Sequence, residues 1–357
     1  MFGIFKALFA MAVISTIFGT NISMAAENDK VYIPLGSDNQ ILVIDANSDK
    51  IIDKIEGIPA VHGLAATPDG RYLVAGSFQE RDEVLPSKPS GVNEDEHAAH
   101  HAPKTGSTED DEQSISTVSV IDTGTNTVIR KIDVPGVVHH VAVSPNGKFA
   151  AVTHPADDGV TIIDLEAFQA VATLKTGKQP NYAAFSADSK TIFVSNAGDN
   201  VVNAIDVAGQ TVVWTAKVGL SPEHLVLSGD GKELFVNNAD DGTVSIIDTT
   251  KGTIARSIVL GSALHGIDLS DDGRWLYVAV RGDNKLTAIE LASGNRRVAR
   301  LAPEPYHLAT IRGKNKIYVS SSSDPKVWVF KQDSFTLAGE IKINGKGHQF
   351  VQIPAVF

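Results

Sequence analysis

Short runs of alternating hydrophobic and polar residues extend along most of the chain, and clusters of Gly, Asp and Asn separate them. In "GTVSIIDTTKGTIARSIVL", residues 242–260, Val, Ile and Thr alternate with other residues on both sides of an Asp-Thr-Thr-Lys-Gly turn. This period of two predicts β-strands joined by tight turns, because successive side chains of a strand point to opposite faces. The pattern therefore predicts an all-β fold.

The strand pattern recurs at a nearly constant interval. The copies begin at His62, His139, Asn181, Glu223, His265, Tyr306 and, in truncated form, His348. From the second copy onward, the starts are spaced by 42, 42, 42, 41 and 42 residues. Each interval holds four short strands, here called A to D, and four strands in about 40–50 residues are typical of a propeller blade.

Seven copies predict one domain, a seven-bladed β-propeller with four-stranded blades. The seventh blade is expected to take strand A from the C-terminal "HQFVQIPAVF" and strands B to D from the N-terminal "KVYIPLGSDNQILVIDANSDKIIDKIEGI". Pairing of the N-terminal strands with the C-terminal strand closes the ring and removes exposed sheet edges. A linear array of repeats would not need such a shared blade.

Two of the repeats also carry a family resemblance. The segments "KTIFVSNAGDNVVNAIDVAGQTVV" and "KELFVNNADDGTVSIIDTTKGTI" resemble the Tyr-Val-Thr-Asn repeats of the periplasmic YncE-like propellers. The resemblance extends over essentially the whole chain after the N-terminal segment and implies the seven-bladed fold. It says little about function, because one fold hosts many chemistries.

The first 25 residues have the order of a secretory signal peptide. Lys6 precedes an apolar run from Ala7 to Phe18, and Ser23-Met24-Ala25 forms a small-residue cleavage site. The apolar run is short for a membrane span. We therefore expect cleavage after Ala25 and a periplasmic propeller over residues 26–357, with a retained N-terminal anchor as the alternative.

The composition of the chain limits the classes of ligand and partner that it can bind. The chain has no cysteine, which excludes disulfides and thiolate ligands. Its formal net charge of -11 and its pI near 5.4 argue against nucleic acid and anionic membranes, and they suit the capture of cations. We expect a monomer that does not insert into the membrane after removal of the signal peptide.

Histidine is concentrated at one position of the repeat. The two residues that begin strand A of each blade, here called the hub pair, are expected at the mouth of the central channel. They share this face, the top face, with the B-to-C turns. Seven of the 11 histidines occupy hub pairs, and six of the seven blades supply at least one. The hub pairs are His62-Gly63, His139-His140, Asn181-Tyr182, Glu223-His224, His265-Gly266, Tyr306-His307 and His348-Gln349.

A ring of imidazoles predicts a transition-metal site. Neutral imidazole binds zinc, copper, nickel and iron, and without cysteine the ligands must be nitrogen and oxygen atoms. One zinc ion needs about four ligands, so a subset of the ring suffices. The candidate ligands in the hub pairs are His62, His139, His140, Glu223, His224, His265, His307 and His348. Further oxygen donors on the top face are Asp157, Asp158, Asp240, Asp241 and Asp283.

Two questions about the ring stay open at this point. Four blades place histidine at the first hub position and three at the second, so the side chains need not face one point. The alternative to metal binding is that the imidazoles hydrogen-bond strand ends and channel water.

One long insertion, at about residues 80–114, replaces the B-to-C turn of the first blade. It is acidic and contains "EDEHAAHH", with His97, His100 and His101. Its composition predicts a mobile arm that captures metal above the ring, with an inert acidic loop as the alternative. His154 lies in another B-to-C turn, and Asp-rich turns such as "ADDG" are interpreted as ordinary turn formers.

The leading hypothesis is a non-catalytic periplasmic protein that binds zinc or copper at the hub and exchanges it with a transport or redox partner. It is similar in logic to the propeller-type zinc metallochaperones. A copper or haem redox protein is the second hypothesis, because the ring resembles the hub of nitrous oxide reductase and the haem d1 propellers are also related. The chain lacks a Cys-x-x-Cys-His haem attachment motif, and Asn181-Tyr182 interrupts the ring.

A third hypothesis is a hydrolase similar to the lactonase-like propellers, with Glu223 and His224 as acid and base. A pure interaction scaffold leaves the histidines unexplained.

Overall fold

The computed structural model describes residues 29–80 and 114–354. Within these ranges the chain forms seven four-stranded antiparallel sheets and two single-turn 3-10 helices, Gly36–Asp38 and Arg281–Asp283. The predicted signal peptide and most of the predicted insertion lie outside the described residues.

The strands follow the predicted repeat. The strands of blade 7 that come first in the chain are β1 (Lys30–Leu35), β2 (Gln40–Asp45) and β3 (Lys50–Glu56). Blade 1 contains β4 (Val61–Ala66), β5 (Tyr72–Ser77), β6 (Ile115–Asp122) and β7 (Thr127–Pro135). Blade 2 contains β8 (Val141–Val143), β9 (Phe149–His154), β10 (Gly159–Asp164) and β11 (Gln169–Lys175). Blade 3 contains β12 (Pro180–Phe185), β13 (Thr191–Asn196), β14 (Val201–Asp206) and β15 (Thr211–Lys217).

The remaining blades have the same order of strands. Blade 4 contains β16 (Pro222–Leu227), β17 (Glu233–Asn238), β18 (Thr243–Asp248) and β19 (Thr253–Val259). Blade 5 contains β20 (Leu264–Leu269), β21 (Trp275–Val280), β22 (Lys285–Glu290) and β23 (Arg296–Arg300). Blade 6 contains β24 (Pro305–Ile311), β25 (Lys316–Ser321), β26 (Lys326–Lys331) and β27 (Thr336–Lys342). Blade 7 is completed by β28 (Val351–Ile353).

The A-to-B turns show how the sequence sets this geometry locally. In five blades a hydroxyl at the end of strand A donates to the Asp or Asn two residues later, and a residue with positive φ follows, such as Gly147 at φ 72°. The turn therefore closes on its own side chains before the sheet forms. The donor–acceptor pairs, at 2.6–2.7 Å, are Thr67–Asp69, Ser144–Asn146, Ser186–Asp188, Ser228–Asp230 and Ser270–Asp272.

The hydrophobic core is divided into seven clusters, one between each pair of neighbouring blades. The cluster between blades 2 and 3, for example, joins Ile162 to Phe185 and Val194. The blades are thus buried on both faces, as the Val- and Ile-rich inner strands predict, and the channel lies on the axis of the ring.

The ring is closed as predicted. Strand β28 pairs with β1 in the order β28-β1-β2-β3, with Lys30 opposite Ile353 and Tyr32 opposite Val351. The prediction of a seven-bladed propeller closed by its N- and C-terminal strands is therefore confirmed. In the part of the chain that the structure describes, no helix is long and apolar enough to cross a bilayer.

Candidate functional site

The hub pairs lie at an irregularity in the ladder between strands A and B. In five blades the register shifts across the hub pair, as between Val61 and Leu64 in blade 1. In blade 2, His139 and His140 precede β8 altogether. A bulge of this kind releases the backbone from strict alternation. Both histidine phases therefore point into the same space, which answers the first question that the sequence left open.

All seven hub histidines are buried, and their rings form one continuous group, here called the hub cluster. Even the most exposed of them, His224, has only 5% of its surface accessible. Neighbouring ring centroids are 4.1 Å apart for His62 and His348, 4.2 Å for His139 and His140, and 4.7 Å for His224 and His307. The channel is therefore filled with imidazole at its top end.

Two overlapping sets of three histidines bring their ligand nitrogens close together. In each set, one nitrogen from every ring lies within 4.8 Å of the other two. Tetrahedral ligands around zinc are about 3.3 Å apart, so modest adjustment of the side chains closes such a set around an ion. The sets are His62, His139 and His140, here called set 1, and His140, His224 and His307, here called set 2.

For two rings of the cluster, hydrogen bonds to backbone oxygens fix which nitrogen is available. Nδ1 of His140 lies 2.9 Å from the backbone oxygen of Asn181, which can only accept, so Nδ1 carries the hydrogen and Nε2 the lone pair. Nδ1 of His62 donates in the same way to a backbone oxygen of the next blade, at 2.8 Å. Nε2 of His140, His224 and His307 is buried and makes no hydrogen bond to any described residue. This orientation, with Nδ1 held by a carbonyl, is typical of metal-binding histidines.

Polar side chains on strand B hold the hub pairs in place. At the same position of three consecutive blades, a hydroxyl or amide donates to the backbone oxygen of the first hub residue of the next blade. Sequence reasoning missed these residues, although a buried polar residue that recurs every 42 positions in strand B is a detectable signal. The pairs are Thr153 with Asn181, Ser195 with Glu223, and Asn237 with His265.

Burial disfavours the charged form of four rings of the cluster. It lowers the pKa of His62 to about 4, and it lowers the pKa of His140, His224 and His307 well below the usual value of 6.5. For these three, the neighbouring imidazoles add to the effect, since two cations cannot share a dry site. At neutral pH these rings are therefore in the form that binds a metal ion.

Glu223 and His265 form a buried pair beside the two sets. Glu223 Oε2 is 2.5 Å from Nδ1 of His265, and the ring of His265 stacks on Tyr306 at 3.9 Å. Neither residue is in set 1 or set 2, and His348 is also outside them. The structure thus places all eight predicted hub ligands in one cluster, with five of them in the two sets.

Glycine at the second hub position lets neighbouring blades approach closely. A Cβ at Gly63 would lie 2.8 Å from the backbone of His140, and one at Gly266 would lie 2.5 Å from the backbone nitrogen of Leu308. A side chain at either position would push the next blade's hub residue outward. The two glycines are therefore part of the construction of the site.

A floor of two side chains closes the hub cluster from below. Gln349 spans the channel: its Nε2 donates to Tyr182 Oη at 3.2 Å and to the Val141 oxygen at 3.1 Å, and its Oε1 accepts from the Leu64 nitrogen at 3.0 Å. The ring of Tyr182 lies 4.6 Å from two rings of set 2, and burial raises its pKa to about 12. The sequence placed both residues in hub pairs but gave them no role.

Below the floor the channel widens into a cavity of about 570 Å³. Its walls include small and aliphatic side chains of the inner strands, such as Ala65, Ala142, Ala184 and Val226, and contain no histidine or carboxylate. The two ends of one channel are therefore chemically different.

His154 lies near the cluster but has a structural role. Its Nδ1 is 3.1 Å from the Val137 oxygen and its Nε2 is 2.8 Å from Thr161 Oγ1, so both ring nitrogens are satisfied. Burial lowers its pKa. It is a useful contrast with His140 of the same blade.

The top-face carboxylates belong to the turns. Asp158 and Asp241 each accept a hydrogen bond from a backbone N–H of the loop that leads into the next blade, and Asp283 pairs with Lys285 at 2.8 Å. Asp157 and Asp240 lie in the same turns, and none of the five is in set 1 or set 2. His97, His100 and His101 lie outside the described residues.

Comparison with known proteins agrees with the fold. Residues 178–338, which contain blades 3 to 5 and most of blade 6, match the family model described as YNCE-like beta-propeller. None of the curated proteins matches the sequence significantly.

Solved structures share the architecture at low identity. The periplasmic gluconolactonase PpgL of Pseudomonas aeruginosa is 15% identical, with a TM-score of 0.70 over 92% of this chain and 99% of that one. Hydrazine synthase of Kuenenia stuttgartiensis is 19% identical, with a TM-score of 0.63 over 80% and 87%. The dihydro-heme d1 dehydrogenase NirN is 13% identical, with a TM-score of 0.61 over 91% and 76%. At these identities the likeness is one of fold.

Proposed function

On the premise that the chain has the YncE-like propeller fold, as the ring of seven blades and the family match show, we propose that it is a periplasmic protein that binds a transition-metal ion, zinc or copper, at the hub cluster. The ion is cargo rather than part of a catalytic centre, and the protein exchanges it with a transport or redox partner. The sequence of residues 1–25 supports the periplasmic location.

One observation carries the proposal. Three buried imidazoles of set 2 bring one ring nitrogen each within 4.8 Å of the other two, and their Nε2 atoms make no hydrogen bond to described residues. Leaving a buried polar atom unsatisfied costs about 1–3 kcal/mol per atom. A metal ion would satisfy all three at once, whereas no strand end of the described residues reaches the Nε2 atoms of set 2.

The charge of the protein supports a cationic cargo. The net charge of -11 attracts cations, and Asp38 and Asp283 lie in single-turn helices on the face where the cluster lies. The insertion with His97, His100 and His101 is proposed to capture the ion and pass it to the hub cluster.

Two histidines of blade 2 provide a matched test. We expect His140→Ala to lower the affinity for Zn²⁺ about 100-fold, because it removes a ligand shared by both sets. His154→Ala should leave the affinity unchanged and lower the free energy of unfolding by about 1–3 kcal/mol, since it removes two satisfied hydrogen bonds. Isothermal titration with Zn²⁺ and urea unfolding measure the two quantities.

Equal metal affinity in the two variants and the unsubstituted protein would contradict the proposal. Titration with Cu²⁺ and optical spectra of the purified protein distinguish colourless zinc from copper or haem, and intense bands in the protein as isolated would favour the redox hypothesis instead.

A hydrolase is the second candidate, and the Glu223–His265 pair is the observation that favours it. A carboxylate 2.5 Å from an imidazole orients that ring as a general base. If this candidate holds, the metal-free protein hydrolyses a sugar lactone and Glu223→Gln abolishes the activity. We expect no turnover from either protein.

A further inference from the structure

The two sets share a residue that cannot serve both at once. His140 is 1% exposed, and its Nδ1 donates to the Asn181 oxygen. A neutral imidazole has one lone pair, which leaves Nε2 as the single nitrogen that can bind an ion. His140 therefore completes either set 1 or set 2, but never both at the same time.

We propose that the hub cluster holds one ion, which moves between set 1 and set 2 while His140 stays bound to it. This inference rests on the proposed function and specifies how the cargo is held. The His140 ring lies between the sets, 5.6 Å from the ring of His62 and 4.9 Å from that of His224. An ion that exchanges its other ligands one at a time passes between the sets without being released into water.

The surroundings give the two positions different roles. Set 1 lies beside Phe78, whose ring is 5.2 Å from that of His62 and which follows β5 on the top face. Set 2 lies on the floor, where the Tyr182 ring is 4.6 Å from that of His224. Set 1 is thus the receiving position and set 2 the holding position.

The stoichiometry tests this directly. The protein is the full chain with His97, His100 and His101 replaced by Ala, so that these residues contribute no ligands. Titration with Co²⁺, followed by visible absorption, should saturate at one ion per chain. Saturation at two ions per chain would overturn the proposal while leaving metal binding intact.

The spectra test the movement. His139→Ala and His307→Ala, in the same background, should each bind one Co²⁺ about 10-fold more weakly than the parent. Their visible spectra should differ, because each keeps only one complete set, and the parent spectrum should be a weighted sum of the two. A parent spectrum that equals that of His139→Ala, with no binding to His307→Ala, would show a single fixed site.

Absence of any Co²⁺ or Zn²⁺ binding to the parent would overturn the proposed function itself and this inference with it. Urea unfolding of each variant checks that it is folded. The stoichiometry measurement needs no substitution in the hub cluster, so it decides the matter even if a hub variant fails to fold.

Discussion

The two ends of the central channel are built from the same seven strands and differ completely in chemistry. The top end holds seven buried imidazoles, whereas the lower end is a cavity of about 570 Å³ with no histidine in its lining. Tyr182 and Gln349, joined by a hydrogen bond, lie between the two regions. The repeat thus supplies equivalent positions, and the residue type at each position decides whether its side chain can bind a ligand or only lines the channel.

The fourth residue of each blade, two positions after the hub pair, lies in the lower half of strand A. This fourth position is apolar in six blades, and its one carboxylate, Asp268, is paired with Arg312 at 2.6 Å. Among the residues that the structure describes, the lower end therefore has no group of three metal-binding side chains, and we expect perturbations there to leave metal binding unchanged. The seven residues are Ala65, Ala142, Ala184, Val226, Asp268, Ala309 and Val351.

The largest expected effect is the loss of folding stability in acid, which arises from the buried histidines at the top end. Burial lowers the pKa of His62 to about 4. The unfolded chain therefore takes up protons below pH 6.5 that the folded chain does not, and stability falls as the pH drops from 6.5 towards 4. His62 alone should lower the free energy of unfolding by about 3 kcal/mol at pH 4 relative to neutral pH. His140, His224 and His307 add to this loss.

Urea unfolding of the metal-free protein between pH 7 and 4 measures this loss. His62→Gln should reduce the dependence on pH, and a stability that is flat over this range would show that the histidines are not buried as described.

A pair of glycines compares the top end with the outside of the ring. Gly63→Ala places a Cβ 2.8 Å from the backbone of His140, whereas Gly339→Ala on β27 meets nothing within 4 Å. We expect Gly63→Ala to cost about 1–3 kcal/mol and to weaken metal binding, because it displaces the hub residue of the next blade. Gly339→Ala should stay within about 1 kcal/mol of the unsubstituted protein. Thermal unfolding and Zn²⁺ titration of both variants test this, and equal behaviour of the two would contradict it.

The smallest effect is expected at the boundary between the two ends. Tyr182→Phe keeps the ring against set 2 and removes the hydroxyl that accepts from Gln349. It should cost about 1 kcal/mol of stability and speed the release of Zn²⁺ to a chelator several-fold, because the floor loses a cross-channel tie. The control is Ala184→Val in the lower cavity, which should leave the release rate unchanged. A Tyr182→Phe variant with unchanged release would show that the floor does not retain the ion.

The fold was predictable because its signal is repeated, whereas the site depends on contacts between repeats. The spacing of 42 residues predicts seven blades, and the same register places His62 and His140 at the hub. Whether both phases face inward depends on the bulge between Val61 and Leu64 and its equivalents, which alternation alone does not predict. The availability of His140 Nε2 follows from the backbone oxygen of Asn181, a residue of the next blade that only looked like a gap in the ring.

Closure of the ring has a consequence for the ion as well as for the fold. Strand β28 has three residues, and the segment that leads into it carries His348 and Gln349. Gln349 reaches blades 1, 2 and 3 across the channel, so the floor exists only while this segment is docked against β1. Under the proposed function, ring closure and retention of the ion are thermodynamically linked: each stabilises the other by the same free energy. A metal ion at the hub would then hold the ring closed, and separation of β28 from β1 would release the ion.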